Sequence, residues 1–349
     1  MKEIKVLIID DSALMRSVLK NILNSSDLIE VVGTANDPII ARDKIKKLQP
    51  DVLTLDIEMP KMDGITFLKN LMRLRPMPVV MISTLTQKGA TVTLDSLATG
   101  AVDFIAKPRL DQVHAIADIK EEIIAKVVAA SKANIHSFNP DEYKPTKKIK
   151  TVAAINCVND KLICIGASTG GTEAIKNVLM DLPPQMPPII ITQHIPAAFS
   201  TSFADRLDRN CQLNVLEAED GMKLSPGFVY LAPGDFHMTI HGNPHNCFIK
   251  LHTAEKVNRH RPAVEVMFDS VYEVYRNNAI AIMLTGMGAD GAKAQKRLHD
   301  QGVLSIIQDE STSVVWGMPG SVHELGGFDK MLPLNQIAAF LLMKLSTKN

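Results

Sequence analysis

The sequence predicts an α/β protein built from two doubly wound parallel-sheet domains. The prediction rests on the length of 349 residues, on short apolar runs that alternate with segments of helical period, and on a polar interruption between two such series. A chain of this length exceeds one average domain and leaves two domains enough residues to bury separate cores. Alternating strand and helix patterns are typical of parallel sheets covered by helices.

The first domain is predicted over residues 1–128. From Ile4 onwards, apolar runs that end in turn or acidic residues alternate with helical segments, and these runs are KVLIIDD, EVVGTA, DVLTLDIEMP, PVVMIS and DFIAKP. Five such units predict a flavodoxin-like parallel sheet.

Residues 129–156 are predicted to form a linker. The segment FNPDEYKPTKKIK within it is polar, contains two prolines and a cluster of lysines, and has no apolar periodicity. The linker separates the first series of strand and helix patterns from the second.

The second domain is predicted over residues 157–347, and its strand patterns are KLICIGAS, PPIIITQH, NAIAIMLTG and GVLSIIQD. Near-continuous apolar runs of this kind are typical of buried parallel strands. Between the second and third runs lie GFVYLAP and HMTIHGNPHNCFIKLH, where a GNPHN turn joins two alternating segments. That pattern predicts an antiparallel hairpin added to the α/β domain.

The composition disfavours several classes of function. Lys plus Arg and Asp plus Glu are both 38, so no broad basic field exists to attract nucleic acid. No apolar run approaches the length of a membrane span, and no export signal opens the sequence. The 4 cysteines show no C-x-x-C spacing and are expected to be reduced thiols. We therefore expect a cytoplasmic protein without nucleic-acid binding or membrane insertion.

An acidic site is predicted at one edge of the first sheet. Asp10 and Asp11 close the first strand, Asp56 closes the third, Ser83 closes the fourth, and Lys107 follows the fifth. The carboxyl ends of parallel strands meet at one edge, so these side chains should converge. Crowded carboxylates suit Mg²⁺, and one of them could accept a phosphoryl group whose charge the metal and Lys107 would offset. The alternative for any single residue is a solvated strand end.

The motifs IIDDS, LDIEMPKMDG and DFIAKP resemble the receiver domains of two-component response regulators over about Lys2 to Val127. The resemblance implies that Asp56 is the phosphoacceptor. It further implies Mg²⁺ ligands at Asp10, Asp11, Asp56 and the Glu58 carbonyl, a phosphate contact at Lys107, and hydroxyl and aromatic switch residues at Ser83 and Phe104.

A nucleophilic serine is predicted at Ser168. The segment GASTG matches G-x-S-x-G between a strand and a helix, where a serine is held out on a tight turn. His194 ends one later strand and Asp290 follows another, so the sheet should gather a base and an acid beside the serine. A glycine-rich turn that cradles phosphate is the alternative for the motif alone.

The chain order Ser, His, Asp differs from the Ser, Asp, His order of α/β-hydrolases, but geometry and not order defines a triad. The tight GMGADG turn could also supply backbone N–H donors for a tetrahedral oxyanion, with Met287 as the candidate.

Two further patterns in the second domain have competing interpretations. GMGADG is formally G-x-G-x-x-G after a strand, with Asp309 about 20 residues on, which leaves a dinucleotide site as an alternative; against it, Asp290 would place a negative charge beside a pyrophosphate. His237, His241, His245 and His252 match no usual metal spacing, so they are expected on the hairpin surface. Trp316 is expected to serve packing.

GASTGG, QHIP and TGMGADG, which follow a receiver pattern and a linker, closely resemble the chemotaxis-specific protein-glutamate methylesterases over nearly the whole chain. The resemblance implies a catalytic triad of Ser168, His194 and Asp290, with Thr169 beside the nucleophile and Met287 at the oxyanion turn. Residues 157–347 would then be the methylesterase domain, which needs no cofactor for the ester hydrolysis itself.

The implied activity is hydrolysis of glutamate methyl esters on methyl-accepting chemotaxis receptors to glutamate and methanol, and some relatives also deamidate receptor glutamines. A chemotaxis histidine kinase would be the phosphodonor, and phosphorylation of Asp56 would shift the population away from a state in which the receiver covers the catalytic cleft. The competing class is a non-enzymatic response regulator whose second domain binds a nucleotide or partner. A transcription factor would need a basic recognition helix, which the sequence does not show.

Overall fold

The computed structural model describes residues 3–59, 63–84, 86–107, 115–135 and 160–346. The chain divides into two compact units, Met1–Phe138 and Asn139–Asn349. Both units are α/β and both are built on parallel sheets, which confirms the predicted fold class. Within the described ranges, no helix combines the length and apolar character needed to cross a membrane.

The first unit alternates strands and helices throughout. Its strands are β1 (Ile4–Ile9), β2 (Ile29–Ala35), β3 (Val52–Asp56), β4 (Val79–Ser83) and β5 (Asp103–Ala106). Its helices are α1 (Ala13–Leu23), α2 (Pro38–Leu48), α3 (Gly64–Leu74), α4 (Gln87–Ala98) and α5 (Ala115–Ser131). The strands form one parallel sheet in the order β2-β1-β3-β4-β5. The described part of the unit therefore has the doubly wound topology that the strand patterns predict.

Local sequence signals set where four of these helices begin. Each has a short polar residue at its N-cap whose side-chain oxygen accepts a hydrogen bond from the backbone N–H three residues later, which satisfies one of the unpaired amides of the first turn. These caps are Ser12, Asp37, Asp63 and Thr86.

The predicted domain limits at 128 and 157 stay predictions. Helix α5 continues to Ser131, three residues into the predicted linker, because VVAAS extends its apolar and small-residue face. The part of the predicted linker from residue 136 onwards lies outside the described residues, and so does Cys157. The other cysteines, Cys164, Cys211 and Cys247, are free thiols.

The second unit contains a larger parallel sheet. Its strands are β6 (Leu162–Ala167), β7 (Ile189–Gln193), β8 (Asn214–Glu217), β9 (Phe228–Leu231), β12 (Ala279–Met283), β13 (Leu304–Gln308) and β14 (Lys330–Leu332), in the order β14-β13-β12-β6-β7-β9-β8. Its helices are α6 (Gly171–Met180), α7 (Ala197–Asn210), α8 (Val264–Tyr275), α9 (Ala292–Asp300), α10 (Met318–Leu325) and α11 (Leu334–Ser346). The strongly apolar strands form the centre of this sheet, whereas the short edge strands β8 and β14 were not predicted.

The predicted antiparallel hairpin consists of β10 (His237–Asn243) and β11 (Asn246–His252), which form a separate two-stranded sheet. Its apolar face packs on helix α8, where Met238 and Ile249 join the same buried cluster as Phe268. The hairpin is thus anchored by α8, the helix that follows it in the chain.

The expected surface position of His237 is wrong. This side chain is 0% exposed, because it begins strand β10 on the face that turns inward. Its Nε2 lies 3.0 Å from the Glu255 carbonyl oxygen, and its Nδ1 accepts a hydrogen bond from the Ala263 backbone N–H. Burial lowers the pKa of His237, so the neutral ring joins two backbone groups as part of the fold.

Candidate active site and acidic site

The predicted serine, histidine and aspartate follow three neighbouring strands of the second sheet. Ser168 comes directly after β6 and His194 directly after β7, while Asp290 lies in the loop after β12. Because β6 pairs with β7 on one side and with β12 on the other, all three residues occupy the carboxyl edge of the sheet. The structure brings His194 and Asp290 into direct contact, with Nε2 2.8 Å from Oδ2.

Ser168 lies on a tight turn between β6 and α6. Its backbone N–H donates to the Thr285 carbonyl, and its own carbonyl accepts hydrogen bonds from the Gly171 N–H and from Gln193 Nε2. Gly170 has a φ of 76° and a Cβ there would lie 2.7 Å from Val314, so the turn requires glycine. The backbone therefore holds the partly exposed Ser168 in place, as expected of a nucleophile elbow.

The orientation of the His194 ring decides which nitrogen can take a proton. Since Nε2 faces Asp290, Nδ1 is left as the basic nitrogen, and it is buried without a hydrogen-bond partner. The Ser168 hydroxyl therefore does not bond to it in this structure. The backbones nevertheless hold the two residues near each other, because the His194 N–H donates to the carbonyl of Ala167, the residue before Ser168, at 3.2 Å. A nucleophile–base hydrogen bond commonly tightens only when substrate binds.

Asp290 is 2% exposed and surrounded by donors. Besides His194, it accepts hydrogen bonds from Asn258 Nδ2 at 2.8 Å, from the Val264 N–H at 2.6 Å and from the Glu265 N–H at 3.3 Å. Burial by itself would raise the pKa of this carboxyl, but the His194, Asn258 and Val264 hydrogen bonds outweigh it and lower the pKa. The two amides open helix α8, whose N-terminus also favours a negative charge. Asp290 is therefore ionised.

These supports of Asp290 were not predicted from the sequence. One signal was available: Ala263 stands at the N-cap of α8 and provides no side-chain hydrogen bond. A helix that begins without Ser, Thr, Asp or Asn needs another acceptor for its first amides. Here that acceptor is the carboxylate of Asp290. His260, whose ring stacks on His194, was missed as well.

The predicted oxyanion turn packs against the serine. A Cβ on Gly286 would lie 2.9 Å from Ser168 Cβ, so the backbone of the turn lies against the nucleophile. Among the described residues, the Met287 N–H has no acceptor and is available as a donor. Thr169 is buried, and its carbonyl accepts a hydrogen bond from Thr285 Oγ1. Trp316 packs on Gly320, consistent with the packing role expected of it.

The alternative sites in this unit find no support in the geometry. Asp290, at the centre of the G-x-G-x-x-G pattern, has both carboxylate oxygens engaged by His194, Asn258 and backbone amides. Asp309, the candidate ribose-binding acid, accepts the Thr312 N–H and so closes the loop after β13. His237 has both ring nitrogens bonded to backbone groups and is not available as a metal ligand.

In the first unit, the predicted acidic residues converge at the carboxyl edge of the sheet. Lys107 Nζ donates to Asp56 Oδ2 at 2.7 Å and lies 3.6 Å from Asp10 Oδ2. Burial raises the pKa of Asp56 to about 6, although the Lys107 hydrogen bond acts in the opposite direction. Burial also raises the pKa of Asp10. For Lys107, the attraction of these carboxylates outweighs burial and raises the pKa.

Three carboxylates of this site are close enough to share a cation. Asp10, Asp11 and Asp56 each offer an oxygen within 4.8 Å of the others, and within the described part of the chain no second group of three His, Cys, Asp or Glu does so. Asp10 Oδ2 is buried without a hydrogen-bond partner. Oxygen ligands and an unsatisfied carboxylate fit Mg²⁺. The predicted fourth ligand, the Glu58 carbonyl, belongs to the residue whose N–H donates to Asp56 Oδ1 at 3.3 Å.

Of the two predicted switch residues, Ser83 lines the same pocket as Asp56. Ser83 Oγ accepts a hydrogen bond from Thr93 Oγ1 of α4 at 2.7 Å. Phe104 is buried, and the Lys126 ammonium lies 5.0 Å from its ring centre while donating to its carbonyl. Both residues thus connect strands to helices of the unit.

Comparison with known proteins finds a matching family for each unit. Residues 163–341 match the CheB methylesterase family, and residues 6–118 match the response regulator receiver domain. A protein-glutamate methylesterase/protein-glutamine glutaminase of Saccharophagus degradans is 52% identical over 98% of this chain and 99% of its own. The chain belongs to the CheB methylesterase family. The corresponding enzyme of Escherichia coli O157:H7 is 48% identical over 99% of this chain and 98% of its own.

A solved structure gives the same result for the second unit. The catalytic domain of the Thermotoga maritima CheB methylesterase is 42% identical, with a TM-score of 0.52, and covers 53% of this chain and 98% of its own. The predictions of a methylesterase-family enzyme and of a receiver domain are therefore confirmed. The individual site residues in both units remain predictions.

Proposed function

We propose that this chain is a phosphorylation-activated serine hydrolase that cleaves glutamate methyl esters on methyl-accepting chemotaxis receptors. The observation that carries the proposal is the buried His194–Asp290 pair, whose unbonded Nδ1 lies at the same sheet edge as Ser168. The substrate class comes from the names of the relatives. A cytoplasmic location and a role in chemotactic adaptation belong to the same proposal.

In the acylation step, Ser168 Oγ attacks the ester carbonyl carbon while its proton passes to His194 Nδ1. Ionised Asp290 stabilises the imidazolium that forms. The carbonyl oxygen becomes an oxyanion, and the Met287 N–H is the donor proposed to stabilise it. When the tetrahedral intermediate collapses, the C–O bond to the methoxy group breaks and the imidazolium returns the proton, so methanol leaves.

In the deacylation step, water takes the place of the serine. His194 Nδ1 accepts a proton from the water while the water oxygen bonds to the acyl carbon. When this tetrahedral intermediate collapses, the bond to Ser168 Oγ breaks and the imidazolium returns the proton to Oγ, so the serine is restored and the receptor retains a glutamate side chain. A glutamine side chain would follow the same steps with ammonia as the leaving group, which matches the glutaminase part of the relatives' names. Deamidation is therefore proposed as a second activity of the same residues.

Regulation is proposed to act through Asp56. The carboxylate would accept a phosphoryl group from a chemotaxis histidine kinase, with Lys107 contacting the phosphate. Mg²⁺ held by Asp10, Asp11, Asp56 and the Glu58 carbonyl would offset the charge of the phosphoryl group when bound. Ser83 and Phe104 are proposed to respond to it, and phosphorylation would raise esterase activity.

The proposal is tested by measuring methanol release from methylated receptor membranes by wild type and Ser168→Ala, with Mg²⁺ and a small phosphodonor present. Release by wild type and its loss in a folded Ser168→Ala protein are expected. Equal release by both proteins would exclude Ser168 as the nucleophile. No release by either would favour the alternative of a non-enzymatic second domain.

The regulatory part has its own test. Asp56→Ala should abolish the stimulation of esterase activity by phosphodonor while leaving basal hydrolysis intact, because the variant lacks the phosphoacceptor but keeps the second unit unchanged. Stimulation retained in Asp56→Ala would refute the assignment of Asp56.

A further inference from the structure

A four-residue turn that the triad chemistry does not use lies against the triad. The backbones of Val257 and His260 pair in both directions, with Val257 N–H donating to the His260 carbonyl at 3.1 Å and His260 N–H to the Val257 carbonyl at 2.9 Å. The two residues between them, Asn258 and Arg259, have φ values of 50° and 72°. Turns of this kind usually take Asn-Gly, so Arg259 adopts a left-handed conformation at a cost of about 1 kcal/mol.

The turn contacts both the acid and the base. Asn258 Nδ2 donates to Asp290 Oδ1 at 2.8 Å. The ring of His260 stacks on the ring of His194, with ring centroids 3.6 Å apart and an angle of 11° between the planes. One short turn therefore fixes two neighbouring groups through two different interactions.

We propose that the Val257–His260 turn positions the catalytic pair, with Asn258 orienting Asp290 and His260 orienting the ring of His194. This inference rests on the proposed esterase function. Neither side chain takes part in a bond-breaking step, so both are positioning residues and not catalytic ones.

The geometry explains why two supports are needed. The hydrogen bond from Nε2 to Asp290 fixes one point of the His194 ring but still permits rotation about that bond. A parallel ring in van der Waals contact with one face restricts that rotation and keeps Nδ1 aimed in one direction. Asn258 and the Glu265 N–H hold Oδ1 of Asp290, while the Val264 N–H holds Oδ2, so the plane of the carboxylate is fixed as well.

A merely structural role for the turn makes a different prediction from a positioning role. If His260 only packed, its loss would lower stability and would leave the rate constant of the folded enzyme unchanged. If it orients His194, its loss should lower kcat while leaving KM nearly constant, because the receptor surface is not altered. A flat aromatic replacement should then restore most of the rate.

The experiment uses the full-length chain and two assays: kcat and KM for methanol release, and the rate of Ser168 modification by a small fluorophosphonate. We expect His260→Ala and Asn258→Ala each to lower kcat and the modification rate about tenfold, with KM changed less than about twofold. His260→Phe should remain within about threefold of wild type, because it keeps a flat ring beside His194. His245→Ala, at the exposed hairpin turn, is the matched control and should behave as wild type.

Several outcomes would overturn the inference. The first is a wild-type kcat and modification rate in folded His260→Ala. The second is an equal loss of kcat in His260→Phe and His260→Ala, which would show that ring stacking is not the cause. If His260→Ala does not fold, His260→Leu supplies side-chain volume without a flat ring and should show the same loss of rate. Failure of the esterase function itself is recognisable separately, because wild type would then neither release methanol nor react with fluorophosphonate at Ser168.

Discussion

The acidic site of the first unit and the triad of the second both lie at the carboxyl edge of a parallel sheet, but they are assembled differently. Asp10, Asp56 and Lys107 are at or directly after strand ends. Among the described residues, the two carboxylates are held only by amides two residues further on, Ser12 N–H for Asp10 and Glu58 N–H for Asp56, and by Lys107. Asp290 lies in a loop beyond β12, and its orientation depends on Asn258 and on the first amides of α8. Those supports come from the segment that follows the β10–β11 hairpin.

The pKa values of the buried carboxyl groups in the two sites are shifted in opposite directions. Asp56 and Asp290 are 1% and 2% exposed, so burial acts against the charged form of both. For Asp56 burial wins and raises the pKa to about 6, whereas the donors around Asp290 lower its pKa. A buried carboxylate with unused oxygen lone pairs is suited to a cation and a phosphoryl group. A buried carboxylate whose oxygens all accept hydrogen bonds, such as Asp290, is suited to remain ionised and to hold a neighbouring histidine in place.

The largest expected effect is that of replacing the carboxylate of Asp290. Asp290→Asn should lower kcat about 10³- to 10⁴-fold, because an amide in this place no longer stabilises the imidazolium and favours the wrong tautomer of His194. The measurement is kcat for methanol release, with Asp300→Asn on the exposed end of α9 as the control. A loss of less than tenfold in folded Asp290→Asn would show that the pair is structural.

A smaller effect is expected from the turn beside the nucleophile. Gly286→Ala would place a Cβ 2.4 Å from Met318 Sδ and 2.9 Å from Ser168 Cβ. The shift of Ser168 should lower kcat roughly 10²-fold. Gly326→Ala is the control, because Gly326 has a φ of 65° with nothing within 4 Å, so it should cost about 1 kcal/mol of stability and leave kcat unchanged. Equal kcat in the two variants would contradict the close packing at Ser168.

In the acidic site, the expected effect is a displaced titration. Without Mg²⁺, the carboxyl of Asp56 should titrate at about 6, and Lys107→Ala should raise that pKa further. Carboxyl ¹³C NMR in EDTA, with Asp56→Asn to assign the resonance, measures both values. Because the folded pKa is above the unfolded one, the contribution of Asp56 to stability is full below about pH 4 and is lost as the pH rises through 6. An Asp56 pKa near 4 would contradict this.

The smallest expected effect concerns the buried histidine of the second unit. Burial lowers the pKa of His237, so its neutral form stabilises the fold at pH values above about 6.5, and this contribution is lost as the pH falls towards the folded pKa. Unfolding followed by the fluorescence of Trp316 should show a loss on the order of 1 kcal/mol per pH unit in that window. His237→Gln should reduce the slope, whereas His241→Gln on the exposed side of β10 should not. Equal slopes in all three proteins would contradict the assignment.

Most of the first site was predictable from the sequence because its chemistry lies on strand ends. Asp10, Asp56 and Lys107 each follow a run of apolar residues, and the rule that parallel strands end at one edge brings them together. The same rule placed Ser168, His194 and Asp290. It could not place Asn258 or His260, which belong to a turn with no periodic pattern, and it wrongly left His237 on the surface.

The sequence by itself determined most of the elements and the residues at their ends, because apolar periodicity, helix caps and glycine-rich turns are local properties; the short edge strands β8 and β14 lack such a pattern. Only the tertiary structure decided how those ends are oriented. It set Nε2 of His194 on Asp290, stacked His260 against its ring and supplied the amides of α8. These contacts join residues 26 to 96 positions apart, and such pairings depend on chain packing that no local pattern encodes.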